Sequence, residues 1–260
     1  MRKLPTVTGA EMTLDEAVAV AATGDVWLFR GASVADFAIR TVTNAPVNHV
    51  GMAVALDDLP PLLWHAELGR SLPDVWTGEH QRGVQLHKLA DAVTTWRRRY
   101  GQRGWVRQLE GTIEREHEDR LMEVIQQHDG RAFPTTLGLA GQWAKGRVRR
   151  KPQQSLEAIY CAELVATTYQ YMGLLPSERP PSWYDPGRFW SGDGLELVPP
   201  FSLGGEIAVS VPDTPEDDAA PERGAEPDGE PSAAQRRTRL RLPQRPRRPK
   251  PEPEPEAPAS

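Results

Sequence analysis

Two apolar stretches joined by a short polar loop constrain the fold of this chain most. The first runs from His49 to Leu56, the second runs from Leu62 to Leu68, and the loop between them is Asp-Asp-Leu-Pro-Pro (57–61). Short apolar runs bounded by turn-forming residues are typical of strands. Because the loop is short, the two strands are expected to pair antiparallel as a β-hairpin.

Helix signals surround this hairpin. Thr13-Leu14-Asp15-Glu16 is a capping box and predicts a helix that continues to about Ala22 and is closed by Gly24. The apolar run 25–30 then predicts a strand, and a second capping pattern at Ser33 predicts another helix. Helices and strands are therefore mixed along the chain, and the hairpin is antiparallel, which together predict an α+β fold.

Further elements are expected downstream of the hairpin. Gly83–His87 is predicted as a third strand and Arg97–Leu109 as another. The highly charged segment Thr112–His128 is predicted as a helix ended by Asp129-Gly130, and 133–145 as a weaker helix.

Composition divides the chain into two parts. Only 38% of its 260 residues are hydrophobic, and the shortage is concentrated in the C-terminal segment 212–260, which consists largely of Pro, Glu, Asp, Arg, Ala and Gly. Such a segment buries too little apolar surface to offset the entropy of ordering it. We therefore expect one folded domain over 1–211 and a disordered, proline-rich and charge-rich tail over 212–260.

Charge and targeting signals narrow the functional classes. A net charge of −5 argues against a general nucleic-acid binder. The basic block Arg236–Lys250 either binds an anionic surface or an acidic protein or is only a solvated part of the tail. Pro243-Gln244-Arg245-Pro246 fits the P-x-x-P pattern. The chain shows no signal peptide, no run of membrane-spanning length and a single cysteine, so we expect a cytoplasmic protein.

The single cysteine, Cys161, opens an amphipathic run that Gly173 ends. Side chains that can pack in a core follow Cys161 at helical spacing, so its thiol is expected on the core-facing stripe of the helix. They are Leu164, Val165, Thr168, Tyr169 and Met172. In the first turn of a helix, the dipole lowers the thiol pKa and favours the thiolate nucleophile, and the Cys161 amide can stabilise an oxyanion.

Two alternatives to this interpretation stay open. Ser155 can cap a longer helix, in which case Cys161 lies in its interior. A lone cysteine on an apolar face can also be a small buried hydrophobe with no chemical role.

Histidines in the hairpin are the candidate partners of Cys161. His49 begins the first strand, and a neutral imidazole is the natural base for a thiol. His65, on the partner strand, can approach His49 and orient its ring. Glu67 has the same side-chain parity as His65 and competes for that role. No cluster has metal-ligand spacing and no phosphate loop is present, so neither a metal nor a cofactor is expected.

These segments, taken in order, resemble the circularly permuted papain-like branch of the NlpC/P60 superfamily, which includes the YiiX/YebB-like hydrolases and, distantly, lecithin retinol acyltransferase. The resemblance rests on Gly-Asp-Val-Trp-Leu-Phe (24–29), Asn-His-Val-Gly-Met (48–52), Trp-His-Ala (64–66) and Tyr-Cys-Ala-Glu-Leu-Val (160–165). It implies a permuted papain-like core with Cys161 as nucleophile, His49 as base and His65 as the third, polar member. The family's small polar residue after the cysteine is Ala162 here.

A member of this family is expected to cleave an amide or ester bond through a thioester, as a hydrolase or an acyltransferase. The substrate is then a peptide, a small molecule or an acyl lipid. The segment 137–150, with apolar anchors beside basic residues, either suits a lipid surface or is an ordinary amphipathic helix with a basic loop. The alternative is a catalytically idle binding or scaffold module that uses the tail as its docking arm.

Overall fold

A computed structural model describes residues 10–31, 46–56, 59–67, 69, 71–131, 153–192 and 194–212, with the backbone alone for 153–159. The helices predicted from Ser33 and over 133–145 lie outside these residues, as do the basic segment 137–150 and the tail from 213 onward.

The described residues form nine strands, four α-helices and two 3₁₀ turns. The strands are β1 (Glu11–Thr13), β2 (Val26–Arg30), β3 (His49–Val54), β4 (Leu62–Glu67), β5 (Gly83–Lys88), β6 (Arg103–Arg107), β7 (Leu109–Glu110), β8 (Ser202–Leu203) and β9 (Ile207–Ser210). The α-helices are α1 (Leu14–Ala19), α2 (Leu89–Tyr100), α3 (Arg115–His128) and α4 (Gln153–Met172), and the 3₁₀ turns are Pro181–Trp183 and Pro186–Phe189.

Seven of these strands build one mixed sheet in the order β1-β9-β6-β2-β3-β4-β5. β1 and β9 pair parallel, and the other neighbours pair antiparallel. β7 and β8 form a separate two-stranded sheet. The predicted hairpin is confirmed as β3 and β4, with Met52 opposite Trp64, and the α+β class is confirmed with it.

Helices cover both faces of the sheet. α4 packs against β3 and β4 on one face, with α3 behind it, and α1 and α2 lie on the other face. Because successive strand residues point to opposite faces, each strand supplies both cores. Val50 and Met52 belong to the core on the α4 face, whereas Ala53 and Leu63 belong to the core on the α2 face.

The predicted capping box at Thr13 is present. The Thr13 hydroxyl accepts from the Glu16 amide at 3.3 Å, and the Glu16 carboxylate accepts from the Thr13 amide at 2.8 Å. The helix ends at Ala19, earlier than expected, because the buried Asp25 carboxylate accepts from the Ala22 amide at 2.9 Å and holds that segment in a turn.

The strand predicted over Arg97–Leu109 is wrong in its first part. Residues up to Tyr100 continue α2, which Gly101 ends in the left-handed conformation at φ 63°, and β6 begins at Arg103. The side chains that α2 buries have helical spacing; they are Leu89, Ala92, Val93 and Trp96. That spacing and the terminating glycine were the signals of this helix in the sequence.

No helix among the described residues is both long and apolar enough to cross a membrane.

Candidate functional site

Three buried histidines lie side by side on the α2 face of the sheet; we call His49, His65 and His87 the histidine row. They come from the neighbouring strands β3, β4 and β5. His65 pairs with Gln85, two residues before His87 in β5, so His65 and His87 are diagonal neighbours on one face. Such diagonal pairs are within reach of long side chains.

Hydrogen bonds join the histidine row in series. His49 Nε2 lies 3.3 Å from His65 Nδ1, and His65 Nε2 lies 3.0 Å from His87 Nδ1. The ring planes of His49 and His65 are nearly perpendicular, at 87°. The contact between His49 and His65 is the one that the sequence predicted for a base and the residue that orients it.

Trp96 of α2 covers the histidine row. Its indole ring meets the rings of His49 and His65 edge-on, with centroids 5.3 Å and 5.0 Å apart. Phe29 of β2 packs against both His49 and Trp96. This aromatic cover leaves His49 6% exposed and the other two histidines fully buried.

Burial keeps the histidine row neutral near pH 7. It lowers the pKa of His49 from 6.5 to about 3, with a smaller contribution from His87. Burial also lowers the pKa of His65 well below 6.5. The pKa of His87 falls to about 4 for the same reason, although Asp74 and the Leu72 carbonyl oppose the change.

Glu67, the competing candidate for orienting His49, has other partners. Its carboxylate accepts a hydrogen bond from the Ser71 hydroxyl at 2.7 Å. Burial raises its pKa, and hydrogen bonds from Ser71 and the Trp96 side chain oppose that rise. The residue hydrogen-bonded to His49 is therefore His65 and not Glu67.

Cys161 does not lie at the start of its helix. α4 begins at Gln153, so Cys161 is its ninth residue, which corresponds to the longer-helix alternative. The segment 155–160 contains no glycine or proline that would interrupt the helix. The helix dipole lowers a thiol pKa only within the first turn. A backbone amide in the helix interior already donates to the carbonyl four residues earlier and cannot bind an oxyanion. The two effects expected to activate this thiol are therefore missing at its observed position.

The sheet separates Cys161 from His49. Cys161 is fully buried in the core that contains Val50, Met52 and Trp64, on the α4 face. His49 contacts Phe29 and Trp96, which belong to the core on the opposite face. Of the three residues predicted as catalytic, the structure brings His49 and His65 together and keeps Cys161 apart from them.

Two polar contacts fix this orientation of α4. The Trp64 indole nitrogen donates to the Thr168 hydroxyl at 3.1 Å, and that hydroxyl donates to the Leu164 carbonyl at 2.8 Å. The Tyr169 hydroxyl donates to the Gly24 carbonyl. Thr168, Tyr169 and Cys161 all lie on the sheet-facing stripe, as their spacing predicted.

His87 is the residue that the sequence analysis missed. The signal in the sequence was its spacing in the strand. Gln85 lies opposite His65, and His87 is two residues further along, so the side chains of His87 and His65 point to the same face of the sheet. This shared face can be recognised only once the register between β4 and β5 is known. Among the described residues, no group of three or more His, Cys, Asp or Glu side chains is arranged to hold a metal ion.

No protein-family model matches this chain, and no curated protein matches it. Among solved structures, it is similar to the metalloprotein YiiX from Escherichia coli O157:H7, of the DUF1105 family. The identity is 21%, the match covers 58% of this chain and 65% of that protein, and the TM-score is 0.37. A match at this TM-score does not confirm a permuted papain core.

Proposed function

We propose that this protein is a hydrolase or acyl-transfer enzyme in which His49 acts as general base and His65 orients its ring. The observation that carries the proposal is the 3.3 Å contact between His49 Nε2 and His65 Nδ1, at the end of the histidine row where His49 keeps 6% of its surface exposed. A base held by a second polar group is the arrangement that nucleophilic catalysis needs.

The neutral state of His49 suits this role. Its pKa of about 3 leaves the imidazole unprotonated at neutral pH, so that it can accept a proton from a nucleophile. Because Nε2 of His49 is engaged with His65, the nitrogen available for the reaction is Nδ1. An imidazole with so low a pKa is a weak base, and substrate binding would have to raise that pKa for the proton transfer to be effective.

Cys161 enters the proposal as the nucleophile predicted from the sequence and from the resemblance to permuted papain-like hydrolases. Its thiolate would attack an amide or ester carbonyl, His49 would protonate the leaving group, and water or an acyl acceptor would resolve the thioester. For this to occur, the thiol must reach the α2 face in the reacting conformation. Because the sheet lies between Cys161 and His49, α4 would have to leave the face of the sheet that it covers in the structure.

The substrate classes follow from the same resemblance. A peptide or small-molecule amide and an acyl-lipid ester are the candidates, and both present the carbonyl that a thiolate attacks. An anionic or protein partner for the tail belongs to the proposal as well, and the expected cytoplasmic location remains a prediction. Nucleic acid is not proposed as a partner, given the net charge of −5.

A catalytically idle binding or scaffold module is the second candidate function. The observation that favours it is the position of Cys161, which is fully buried inside α4 and on the face opposite His49. A buried thiol of this kind is inert.

The pH dependence of Cys161 alkylation by iodoacetamide separates the two. The proteins compared are the wild type, His49→Ala and the matched control His128→Ala, whose histidine lies at the end of α3. The enzyme proposal expects alkylation that titrates well below the ordinary thiol pKa of about 8.5 and that is lost in His49→Ala only. A thiol that reacts only after unfolding, or that ignores His49, would overturn the proposal and leave the binding module.

Removing the tail tests the module directly. A chain truncated at Pro212 that no longer binds a partner retained by the full chain would assign binding to the tail. A truncated chain that keeps the partner would assign binding to the folded domain.

A further inference from the structure

His87 is the buried member of the histidine row that the proposed mechanism does not use. It is fully buried and its Nδ1 faces His65, while its Nε2 makes no regular hydrogen bond within the described residues. A buried ring nitrogen without a regular hydrogen bond is uncommon, and the groups near His87 decide whether it carries a proton.

The two hydrogen bonds of the row connect the same atoms each time, Nε2 of one ring to Nδ1 of the next. A neutral imidazole carries one proton, so each ring can donate at one nitrogen only. If His49 donates from Nε2, then His65 accepts at Nδ1 and must donate from Nε2 to His87. All three neutral rings therefore have the same tautomer, either protonated at Nε2 throughout or at Nδ1 throughout.

Groups around His87 favour protonation at Nε2 throughout, because that state places a ring proton at the His87 end of the row. Asp74 and Asp91 attract positive charge toward His87, and the Leu72 carbonyl favours a protonated ring nitrogen there; His80 opposes them. Asp74 is held in place because its carboxylate accepts from the Trp76 and Leu86 amides at 3.0 Å and 2.8 Å.

At the other end of the row, His49 is the member with exposed surface. With every ring protonated at Nε2, Nδ1 of His49 is a bare base. This is the nitrogen that the proposed reaction needs.

We infer that His87 is a positioning residue that locks His49 in the Nε2-protonated tautomer and accepts the positive charge that forms when His49 takes up a proton. The inference rests on the proposed function for its purpose but not for its geometry.

The charge moves by two proton shifts along existing hydrogen bonds. After Nδ1 of His49 accepts a proton, the Nε2 proton of His49 passes to Nδ1 of His65. The Nε2 proton of His65 then passes to Nδ1 of His87. His49 and His65 end neutral, and His87 ends as an imidazolium in the field of Asp74 and Asp91. The row then holds one proton more than before, the one that His49 took up.

Nitrogen-15 NMR of histidine-labelled full-length protein tests the lock without any substrate. In the wild type near neutral pH, all three rings are expected to be neutral and protonated at Nε2, with a scalar coupling across each N–H···N bond. Opposite tautomers at His49 and His65, or a charged ring in the row, would overturn the inference.

Two substitutions separate positioning from simple packing. His87→Asn keeps an acceptor near the position of Nδ1 and should preserve the tautomer of His49. His87→Leu removes the acceptor and should shift the His49 tautomer ratio about fivefold, the effect of losing one neutral hydrogen bond. His128→Asn is the matched control and should change nothing in the row. A His49 tautomer that stays the same in a folded His87→Leu variant would also overturn the inference, and the wild-type couplings decide the matter if that variant does not fold.

The alkylation profile then distinguishes the two proposals. If the hydrolase proposal fails, Cys161 is indifferent to His49 while the tautomers of the row are as described. If the charge transfer alone fails, His49 activates Cys161 equally in the wild type and in His87→Asn.

Discussion

His49 and Val50 are consecutive in the chain and point to opposite faces of one sheet. His49 contacts Trp96 of α2, whereas Val50 belongs to the core that contains Cys161 and is covered by α4. The alternation of strand residues thus separates the predicted base from the predicted nucleophile. The same alternation aligns His49 with His65 and His87 on one face.

Adding a methyl group at Gly51 should disturb the histidine row. A Cβ at this position would lie 2.8 Å from Leu63 Cδ1 and 3.2 Å from His65 Cβ, and strand pairing limits how far β4 can yield. Gly51→Ala is expected to lower the free energy of unfolding by about 1–3 kcal/mol, as overpacking of a core does. Urea denaturation measures it, and Gly205→Ala is the control because nothing lies within 4 Å of its added Cβ. Equal stability of the two variants would contradict the packing described between β3 and β4.

A double-mutant cycle between Trp64 and Thr168 tests which face α4 covers. The 3.1 Å hydrogen bond joins β4 to α4, and both residues are fully buried. Trp64→Phe and Thr168→Val are expected to show a coupling energy of about 1 kcal/mol in urea denaturation. A coupling near zero would mean that α4 does not lie on this face, and the separation of Cys161 from His49 would then need revision.

Acid should destabilise the protein through the histidine row. The folded-state pKa values of His49 and His87, about 3 and about 4, lie below 6.5, so the unfolded chain binds more protons between those limits. Their stabilising effect is present above about pH 6.5 and is lost as the pH falls toward 4. At about pH 5, each contributes a loss of about 2 kcal/mol relative to neutral pH.

Raised carboxyl pKa values act in the opposite sense. Burial raises the pKa of Asp25 and Glu67, so their contribution is lost as the pH rises and partly offsets the histidine effect in acid. Urea denaturation of the wild type and His87→Asn at both pH values isolates the His87 contribution. The variant should lose about 2 kcal/mol less stability on acidification, and identical losses would contradict the buried neutral state of His87.

Removing the Trp96 side chain, which covers the histidine row, should lower the free energy of unfolding strongly. Trp96 is 3% exposed and contacts His49, His65 and Phe29. Trp96→Ala is expected to cost about 3–5 kcal/mol of stability and to raise the pKa of His49, because water gains access to the ring. Trp183→Ala is the matched control: Trp183 is 38% exposed and stacks with Arg179 and Arg188, so its loss should cost about 1 kcal/mol or less.

The measurements are urea denaturation for stability and NMR titration for the His49 ring. A Trp96→Ala variant as stable as Trp183→Ala would place Trp96 away from the row.

Local sequence was enough to determine several elements and the pairing of two of them. The capping box at Thr13, the hairpin of β3 and β4 and the sheet-facing stripe of α4 follow from hydrogen-bonding side chains and from periods of 2 and 3.6 residues. That His65 can approach His49 followed as well, since the two strands of a hairpin are neighbours. The choice of His65 over Glu67 needed the register of the structure.

Tertiary structure decided what local pattern left open. Whether α4 starts at Cys161 or earlier depends on packing, because the segment before the cysteine is compatible with a helix. Which face of the sheet α4 covers is set by contacts such as Trp64 with Thr168, more than one hundred positions apart in the sequence. The third histidine joined the row through the pairing of β4 with β5, a register that no turn motif in the sequence specifies. Sequence periodicity defines the two faces of an element, but only the packing of distant elements determines which faces meet.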